Sequence, residues 1–334
     1  MNHDIAIDLG TANFLIIHED QVVVDQPSVI AFDRKTNKMI AVGNEAMQME
    51  GKTHDNIRTV RPLQGGVIAD YNAAEQMIRG MMAMVGLRRS LFKPFIRMVI
   101  CIPSGITEVE KRAVEDSAET LGARQLFLIQ EPIAAAVGIG LNVEEPEGNM
   151  IVDIGGGTTE IALIASNGIV CNQSVRVAGN TLDADIELYV RHEYNLLIGQ
   201  PTAERIKHAI GAALTDLPES QAEYLVMGRD LLTGMPKQIT LTQAEIAHCL
   251  DKSISKIEES VMKLLEEMPP ELASDIYQRG MYLSGGGALL HGLSQRLARR
   301  THLKVHDVED PLRMVVKGAG MTLKNIEKSG YLIK

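Results

Sequence analysis

An aspartate followed by three glycines, within residues 150–164, is the stretch of this sequence with the clearest chemistry. Asp153 ends an apolar run, and Gly155, Gly156 and Gly157 follow it before a pair of threonines that begins with Thr158. Glycine lets backbone N–H groups approach an anion closely. The aspartate can hold a divalent cation against phosphate oxygens, and the threonine hydroxyls add donors. The same triple glycine also suits an ordinary tight turn, so this stretch alone leaves both interpretations open.

The start of the chain repeats this plan. An apolar run leads into Asp8, and a turn with Gly10 and Thr11 leads into a second apolar run. Two hairpins with an acid at each mouth predict two like domains that face each other across a cleft. A third glycine turn, at residues 284–287, follows another strand-like run. One nucleotide could touch all three turns.

The elements that would position these turns alternate between strand and helix. An apolar strand is predicted at residues 97–103 and a shorter one at residues 126–129, each followed by a helix. Thr107 and Glu110 have the spacing of a capping box at the start of the first of these helices. Strand, helix, strand, helix is the order expected of an α/β sheet.

The second half of the chain contains the longest predicted helix. A capping box of Thr242 and Glu245 opens it, and it runs through residue 268. Its apolar stripe indicates a core-facing helix, with a coiled coil as the alternative. Further helices are predicted at residues 289–300 and 311–326.

The bulk composition limits the function classes. A chain of 334 residues suits two domains or four subdomains. Its 33 basic and 43 acidic residues give a formal charge of −10, which argues against nucleic acid as a partner. No apolar run approaches the roughly 20 residues that cross a bilayer, and the start has no leader pattern. The three cysteines lack metal-ligand spacing and are predicted to be reduced core thiols. We therefore expect a cytoplasmic protein.

With these motifs in place, the chain resembles the actin, sugar kinase and Hsp70 ATPase superfamily, and within it the MreB family of bacterial actins. Residues 8–13 resemble the family's first phosphate loop, residues 153–160 its second, and residues 284–288 its adenosine loop. The Glu-Pro step at residues 131–132 and the glycine turn at residues 318–320 also match. The resemblance covers essentially the whole chain.

The resemblance implies an α/β fold of two actin-like, ribonuclease H-like domains, with two smaller inserted subdomains around an interdomain nucleotide cleft. The implied subdomain boundaries are residues 1–32, 66–143 and 315–334 for subdomain IA, 33–65 for IB, 144–181 and 241–314 for IIA, and 182–240 for IIB.

The resemblance also implies roles for particular residues. Asp8 and Asp153 would hold Mg²⁺ through its waters, and Glu131 would orient the attacking water with help from Thr158. A carboxylate that orders one water would give slow hydrolysis of ATP or GTP. The implied nucleotide contacts are Thr11, Ala12, Asn13, Gly155, Gly156, Gly157, Thr158, Glu204, Arg205, Ile206, Lys207, Ser284, Gly285, Gly286 and Gly287.

Each of these assignments has an ordinary structural alternative. Glu131 could be an acid favoured by a helix N-terminus, and Glu204 with Lys207 could be a surface ion pair. The two aspartates could cap turns. The sequence also departs from the family at Gln130, where a second acid is usual, and at Phe14, where a small hydroxyl residue is common. Gln130 could alter the field around the attacking water, and Phe14 the packing behind the first phosphate loop.

A loop at residues 88–95 places Leu91 and Phe92 between cations, which suits insertion into an anionic membrane surface. Ordinary loop packing is the alternative. The family resemblance implies self-assembly into paired protofilaments at the inner face of the cell membrane. It also implies partners among the membrane proteins of cell elongation and wall synthesis, and a role in rod shape.

Two other functions fit the superfamily. A small-molecule kinase would need an acceptor pocket with a base, and no insertion in the sequence suggests one. A chaperone would need a peptide-binding domain, and the chain ends soon after its last predicted helix. We therefore expect a cytoskeletal ATPase.

Overall fold

The structure, a computed structural model, describes residues 2–87, 95–217, 222–327 and 329–333. Its strands are β1 (Asn2–Leu9), β2 (Asn13–His18), β3 (Gln21–Pro27), β4 (Ile30–Asp33), β5 (Met39–Val42), β6 (Ile57–Val60), β7 (Leu63–Gln64), β8 (Val67–Ile68), β9 (Phe95–Ile102), β10 (Ala123–Gln130), β11 (Asn149–Ile154), β12 (Thr159–Ala165), β13 (Gly168–Val175), β14 (Leu196–Leu197), β15 (Glu223–Asp230), β16 (Pro236–Thr242), β17 (Met281–Ser284) and β18 (Val305–Asp307).

Its α-helices are α1 (Asn44–Met49), α2 (Tyr71–Met84), α3 (Glu108–Thr120), α4 (Glu131–Ile139), α5 (Gly179–Tyr194), α6 (Gln200–Ile210), α7 (Gln243–Glu267), α8 (Pro270–Arg279), α9 (Leu293–Thr301) and α10 (Met314–Lys324). Both predicted capping boxes are present, at Thr107 before α3 and at Thr242 before α7. In each, the threonine hydroxyl accepts a backbone N–H that would otherwise lack a partner.

Two five-stranded sheets share one plan. Their strand orders are β3-β2-β1-β9-β10 and β13-β12-β11-β17-β18. In each sheet the central strand pairs antiparallel with the hairpin strand that follows it and parallel with a later strand. The predicted fold, two like α/β domains, is therefore confirmed at the level of strand order and direction.

Two smaller sheets are inserted into this plan. The sheet β5-β4-β6 follows the first hairpin, and the sheet β14-β15-β16 lies between α5 and α7. The subdomain boundaries given above stay a prediction.

Three large apolar cores hold the molecule together. In each half of the molecule, one core packs the five-stranded sheet against its helices. The third joins residues of both sheets, such as Val99 and Ile151, to the facing sides of α4 and α10. In this third core, α4 and α10 pack backbone to backbone, because a Cβ added at Gly318 would lie 1.8 Å from the carbonyl oxygen of Ala134.

The structure differs from the sequence-based predictions in several places. The helix predicted at residues 289–300 begins only at Leu293, because Gly292 is left-handed with φ of 76°, and residues 286–289 form a 3₁₀ turn. A helix that the sequence analysis did not predict, α8, begins at Pro270, shortly after the end of α7. Cys101 is buried, but Cys171 and Cys249 are only half-buried. The stripe of α7 faces the core as predicted, with Ile254 fully buried.

Candidate functional site

The two aspartates predicted to hold a metal occupy equivalent places in the two sheets. Asp8 lies near the end of β1 and Asp153 near the end of β11, and both are buried. Burial, and then the Asp153 charge, raises the pKa of Asp8 to about 7. Burial raises the pKa of Asp153 to about 6, against the opposing effect of the Ser284 side chain, and the Glu160 charge adds to the rise. These carboxyls therefore lie in one region of low polarity, where a cation would strongly favour their charged form.

The loops that follow the two aspartates touch each other. A Cβ added at Gly156 would lie 2.5 Å from the Cβ of Ala12, and one at Gly157 would lie 2.6 Å from Thr11 Oγ1. Only glycine fits this approach. The second loop is closed by a 2.9 Å hydrogen bond from the Gly155 N–H to the Thr158 carbonyl oxygen. The two predicted phosphate loops, one from each sheet, thus lie in direct contact.

Ser28 and Gly66 support this pair of loops, and we did not predict either as a site residue. Ser28 donates its hydroxyl to the Gly10 carbonyl oxygen at 2.6 Å, and its N–H to that of Ala12 at 2.8 Å. The Gly66 N–H donates to Thr11 Oγ1 at 3.0 Å. A Cβ at Gly66 would lie 3.0 Å from the Thr158 methyl group, so the β7–β8 turn lies over both loops. The Gly65-Gly66 pair was the available signal in the sequence.

Glu131, the predicted catalytic acid, is the first residue of α4. Burial, followed by the charges of Asp8, Asp153 and Glu160, raises its pKa well above the ordinary value. Glu131 therefore also fits the alternative given above, an acid that is favoured by the N-terminus of a helix. A helix N-terminus alone would not place Asp8, Asp153 and Glu160 close enough to Glu131 to raise its pKa.

The third glycine turn packs beside the second phosphate loop. Ser284 pairs with Asp153 in the parallel ladder, and its side chain is buried. A Cβ at Gly285 would lie 2.4 Å from the carbonyl oxygen of Ile154, and one at Gly287 would lie 2.2 Å from the Ile154 side chain. Gly286 faces Leu312 instead. The end of β11 thus leads into the second phosphate loop and packs against the third glycine turn.

The four predicted contacts on α6 have different environments. Ile206 is fully buried in the core, and Arg205 is exposed and bonds to Pro201 and Thr202 of its own helix. Glu204 is half-buried. Lys207 donates to the Gly179 carbonyl oxygen. The roles of these side chains toward a nucleotide stay a prediction.

Lys207 does not form the surface pair that was the alternative for it. Its Nζ lies 2.8 Å from Asp183 Oδ1, and its side chain is only 12% exposed. The Gly179 N–H, at the start of α5, donates to the Gly155 carbonyl oxygen at 3.1 Å. The lysine is therefore joined through Gly179 to the second phosphate loop. The sequence analysis did not predict Asp183 as a site residue, because nothing in the neighbouring sequence indicates that this acid of α5 is buried.

The oxygen ligands fit a magnesium ion that is held through water. Within the described ranges, no three His, Cys, Asp or Glu side chains form a group that could bind a metal directly. Asp153 Oδ1 is buried and has no hydrogen-bond partner among the described residues. Carboxylate oxygens are the ligands that Mg²⁺ prefers, and it usually keeps several waters. The acids are therefore suited to hold the waters of such an ion.

The remaining predictions have simple outcomes. Phe14 is fully buried in the core behind the first loop, and Gln130 precedes α4 without a side-chain cap bond. Leu91 and Phe92, predicted to contact a membrane, lie outside the described residues. In the ranges that the structure covers, every helix is too short or too polar to span a bilayer.

Comparison with known proteins identifies the family. Residues 2–330 match the family described as MreB/Mbl protein. The cell shape-determining protein MreB of Escherichia coli (strain K12) is 46% identical over 334 residues, which cover 98% of this chain and 95% of the relative. The chain belongs to the MreB/Mbl family.

Solved structures agree with this assignment. MreB5 of Spiroplasma citri bound to ADP has a TM-score of 0.91 and 39% sequence identity, with 98% of this chain and 99% of the other covered. MreB5 bound to AMPPNP gives the same TM-score and identity. As a member of the MreB/Mbl family, the chain is an actin-like cytoskeletal protein. Its family does not favour the alternative of a small-molecule kinase.

Proposed function

We propose that this chain binds ATP with Mg²⁺ in the cleft between its two sheets and hydrolyses it slowly during assembly into filaments. The observation that carries the proposal is the contact between the two acid-and-glycine mouths, with Thr11 against Gly157. MreB5, a relative at 39% identity, binds ADP and AMPPNP. An adenine nucleotide is therefore the ligand that we assign to the cleft.

Asp8 and Asp153 would hold the waters of Mg²⁺, which supplies positive charge at the phosphates. The glycine N–H groups of residues 155–157 and the Thr11 hydroxyl would bind phosphate oxygens. Glu131, once ionised, would accept a hydrogen bond from the attacking water and so orient it, with Thr158 as a second hydrogen-bonding group. Such a site positions its reactants without a strong base, which suits slow hydrolysis.

The assembly that we propose is a filament of identical subunits in paired protofilaments. Contacts that repeat head to tail without closing into a ring make a filament, and a nucleotide between two domains can bias the closure that forms them. We further propose that the filaments lie on the inner face of the cell membrane through Leu91 and Phe92. There they would work with membrane proteins of cell elongation and wall synthesis, as the family resemblance implies, and so set cell shape, the role that the names of the relatives state.

Phosphate release from Mg-ATP tests the catalytic assignment. Glu131→Ala should lower the rate about 10- to 100-fold, because the water loses its orienting group. Nucleotide affinity should be kept. Glu108→Ala is the matched control, since Glu108 is an exposed acid in the first turn of α3. Hydrolysis by Glu131→Ala at the wild-type rate would contradict the assignment, and a wild-type chain that binds no Mg-ATP would refute the proposed function.

A further inference from the structure

A further buried carboxylate, Glu160, has no role in the chemistry described so far. It is 1% exposed. It pairs directly with Asp153 on β11 and with Ser174 on β13, so the three side chains lie on one face of the second sheet. Like charges directly opposite each other are unfavourable. An acid opposite Asp153 therefore needs strong partners of its own.

Those partners come from both halves of the molecule. Ser174 Oγ donates to Glu160 Oε1 at 2.5 Å, within the second sheet. Ser104 lies in the loop just after β9 of the first sheet, and it donates both its hydroxyl and its backbone N–H to Glu160 Oε2, with 3.3 Å between the backbone N and this oxygen. Asn172 in turn donates to Ser104 Oγ at 3.0 Å. Glu160 thus binds across the cleft.

The cleft-spanning bond lies close to the predicted chemistry on both sides. Ser104 follows β9, whose last residue, Ile102, pairs with the residue just before Glu131. On the other side, Glu160 is two residues beyond Thr158 in the chain. Glu160 is also one of the charges, after burial, Asp8 and Asp153, that raise the pKa of Glu131. The bond between Ser104 and Glu160 therefore joins the loop after β9, beside the strand that leads into Glu131, to the start of β12, beside Thr158.

We propose that Glu160 is a positioning residue, whose hydrogen bonds from Ser104 form a latch that holds the two sheets at the separation where Glu131 reaches the phosphates. The inference rests on the proposed ATPase activity. It assigns to Glu160 no contact with the nucleotide, so the latch acts on hydrolysis through geometry.

Single-turnover hydrolysis of Mg-ATP, with affinity measured separately by titration of a fluorescent ATP analogue, tests the latch. A hydrogen bond to a charged group is strong enough that Ser104→Ala should slow hydrolysis about tenfold. Affinity should change by less than about threefold, because a residue that contacts no ligand removes little uniform binding. Ser104→Thr keeps the hydroxyl and should restore most of the rate.

Ser174→Ala is the matched control. It removes the same kind of donor from the same carboxylate, but within one sheet, and should slow hydrolysis at most about twofold if only the cleft-spanning bond matters. In the Glu160→Gln background, Ser104→Ala should slow hydrolysis less than it does in the wild-type chain, since the effects of two substitutions that remove one contact are not additive.

The outcomes separate the latch from the ATPase activity. The latch would be overturned, and the proposed function left intact, if Ser104→Ala hydrolysed Mg-ATP at the wild-type rate. The same holds if Ser104→Ala and Ser174→Ala lowered the rate equally. A wild-type chain that does not hydrolyse Mg-ATP would overturn both.

Discussion

At the scale of single residues, the two aspartates that we propose hold the metal are costly to the folded chain when no cation is present. The pKa of Asp8 rises from its ordinary value of 3.8 to about 7, chiefly through burial. The folded state therefore binds this proton more tightly than the unfolded state does. The contribution of Asp8 to the free energy of unfolding must therefore fall as the pH rises from about 4 to about 7, and this contribution stays low above that range.

Asp8→Asn should make the nucleotide-free protein more stable at pH 8, because it removes a buried charge. We expect its midpoint of thermal unfolding to rise by at least about 2 °C. The gain should shrink as the pH falls toward 4, where Asp8 itself becomes neutral. The same variant should lose the Mg²⁺ dependence of ATP affinity. Thermal unfolding between pH 4 and pH 8 and calorimetric titration measure the two effects.

Asp116→Asn serves as the control, since Asp116 is half exposed and its one ion pair among the described residues is a 3.9 Å surface pair with Arg112. It should change neither quantity. Unchanged stability of Asp8→Asn at pH 8 would show that Asp8 is not a buried charge. Unchanged Mg²⁺ dependence would remove it from the metal site.

At the scale of elements, the crossing of α4 and α10 positions Glu131. Two glycines let the helices touch: a Cβ at Gly138 would lie 2.0 Å from the Met314 carbonyl oxygen, and one at Gly318 would lie 1.8 Å from that of Ala134. Because α4 begins with Glu131, any shift of this helix moves the predicted catalytic acid. The glycine turn noted at residues 318–320 is in fact part of α10.

Gly318→Ala should force these two helices apart. We expect it to lower the free energy of unfolding by about 3 kcal/mol or more, since backbone cannot yield as a side chain does. Gly320→Ala on the same helix is the control. Its Cβ would meet only the Ile17 side chain, at 3.3 Å, and alanine favours the helix. Chemical denaturation of both variants makes the comparison, and equal stabilities would show that the close crossing is not needed.

At the scale of the whole molecule, the third core makes the two halves one body. Ile151 of the second sheet and Val99 of the first pack into the same cluster. Arg313, just before α10, adds an ion pair to Asp25 of β3 at 2.7 Å, while Pro311 beside it accepts the Gly285 N–H. The third glycine turn is thereby connected to the first sheet, so a ligand bound at that turn would act on both halves.

Assembly is the property of the whole molecule that follows from the proposed function. With Mg-ATP and anionic liposomes, we expect the chain to sediment and to show double filaments by negative-stain microscopy. Leu91→Ser with Phe92→Ser should reduce sedimentation with the liposomes, because the loop loses its apolar residues while its cations remain. Leu232→Ser removes an 81% exposed leucine elsewhere and is the control. Sedimentation of the double variant at the wild-type level would refute the membrane assignment.

The sequence by itself determined the features that depend on near neighbours along the chain. The acid-and-glycine turns, both capping boxes and the apolar stripe of α7 need only local spacing, and the family and its fold were recognised from the same motifs. Each of these was confirmed, because a turn or a cap is fixed by the conformations open to a few consecutive residues.

The tertiary structure alone decided which distant residues meet. Gly66 lies over Thr11, Ser104 binds Glu160, and Lys207 pairs with Asp183, 24 positions before it in the chain, rather than with Glu204. No local pattern contains these contacts, because they arise from the packing of two sheets around a shared core. The environment that raises the pKa of Glu131 has the same origin, since its acids are brought together only when both sheets have formed.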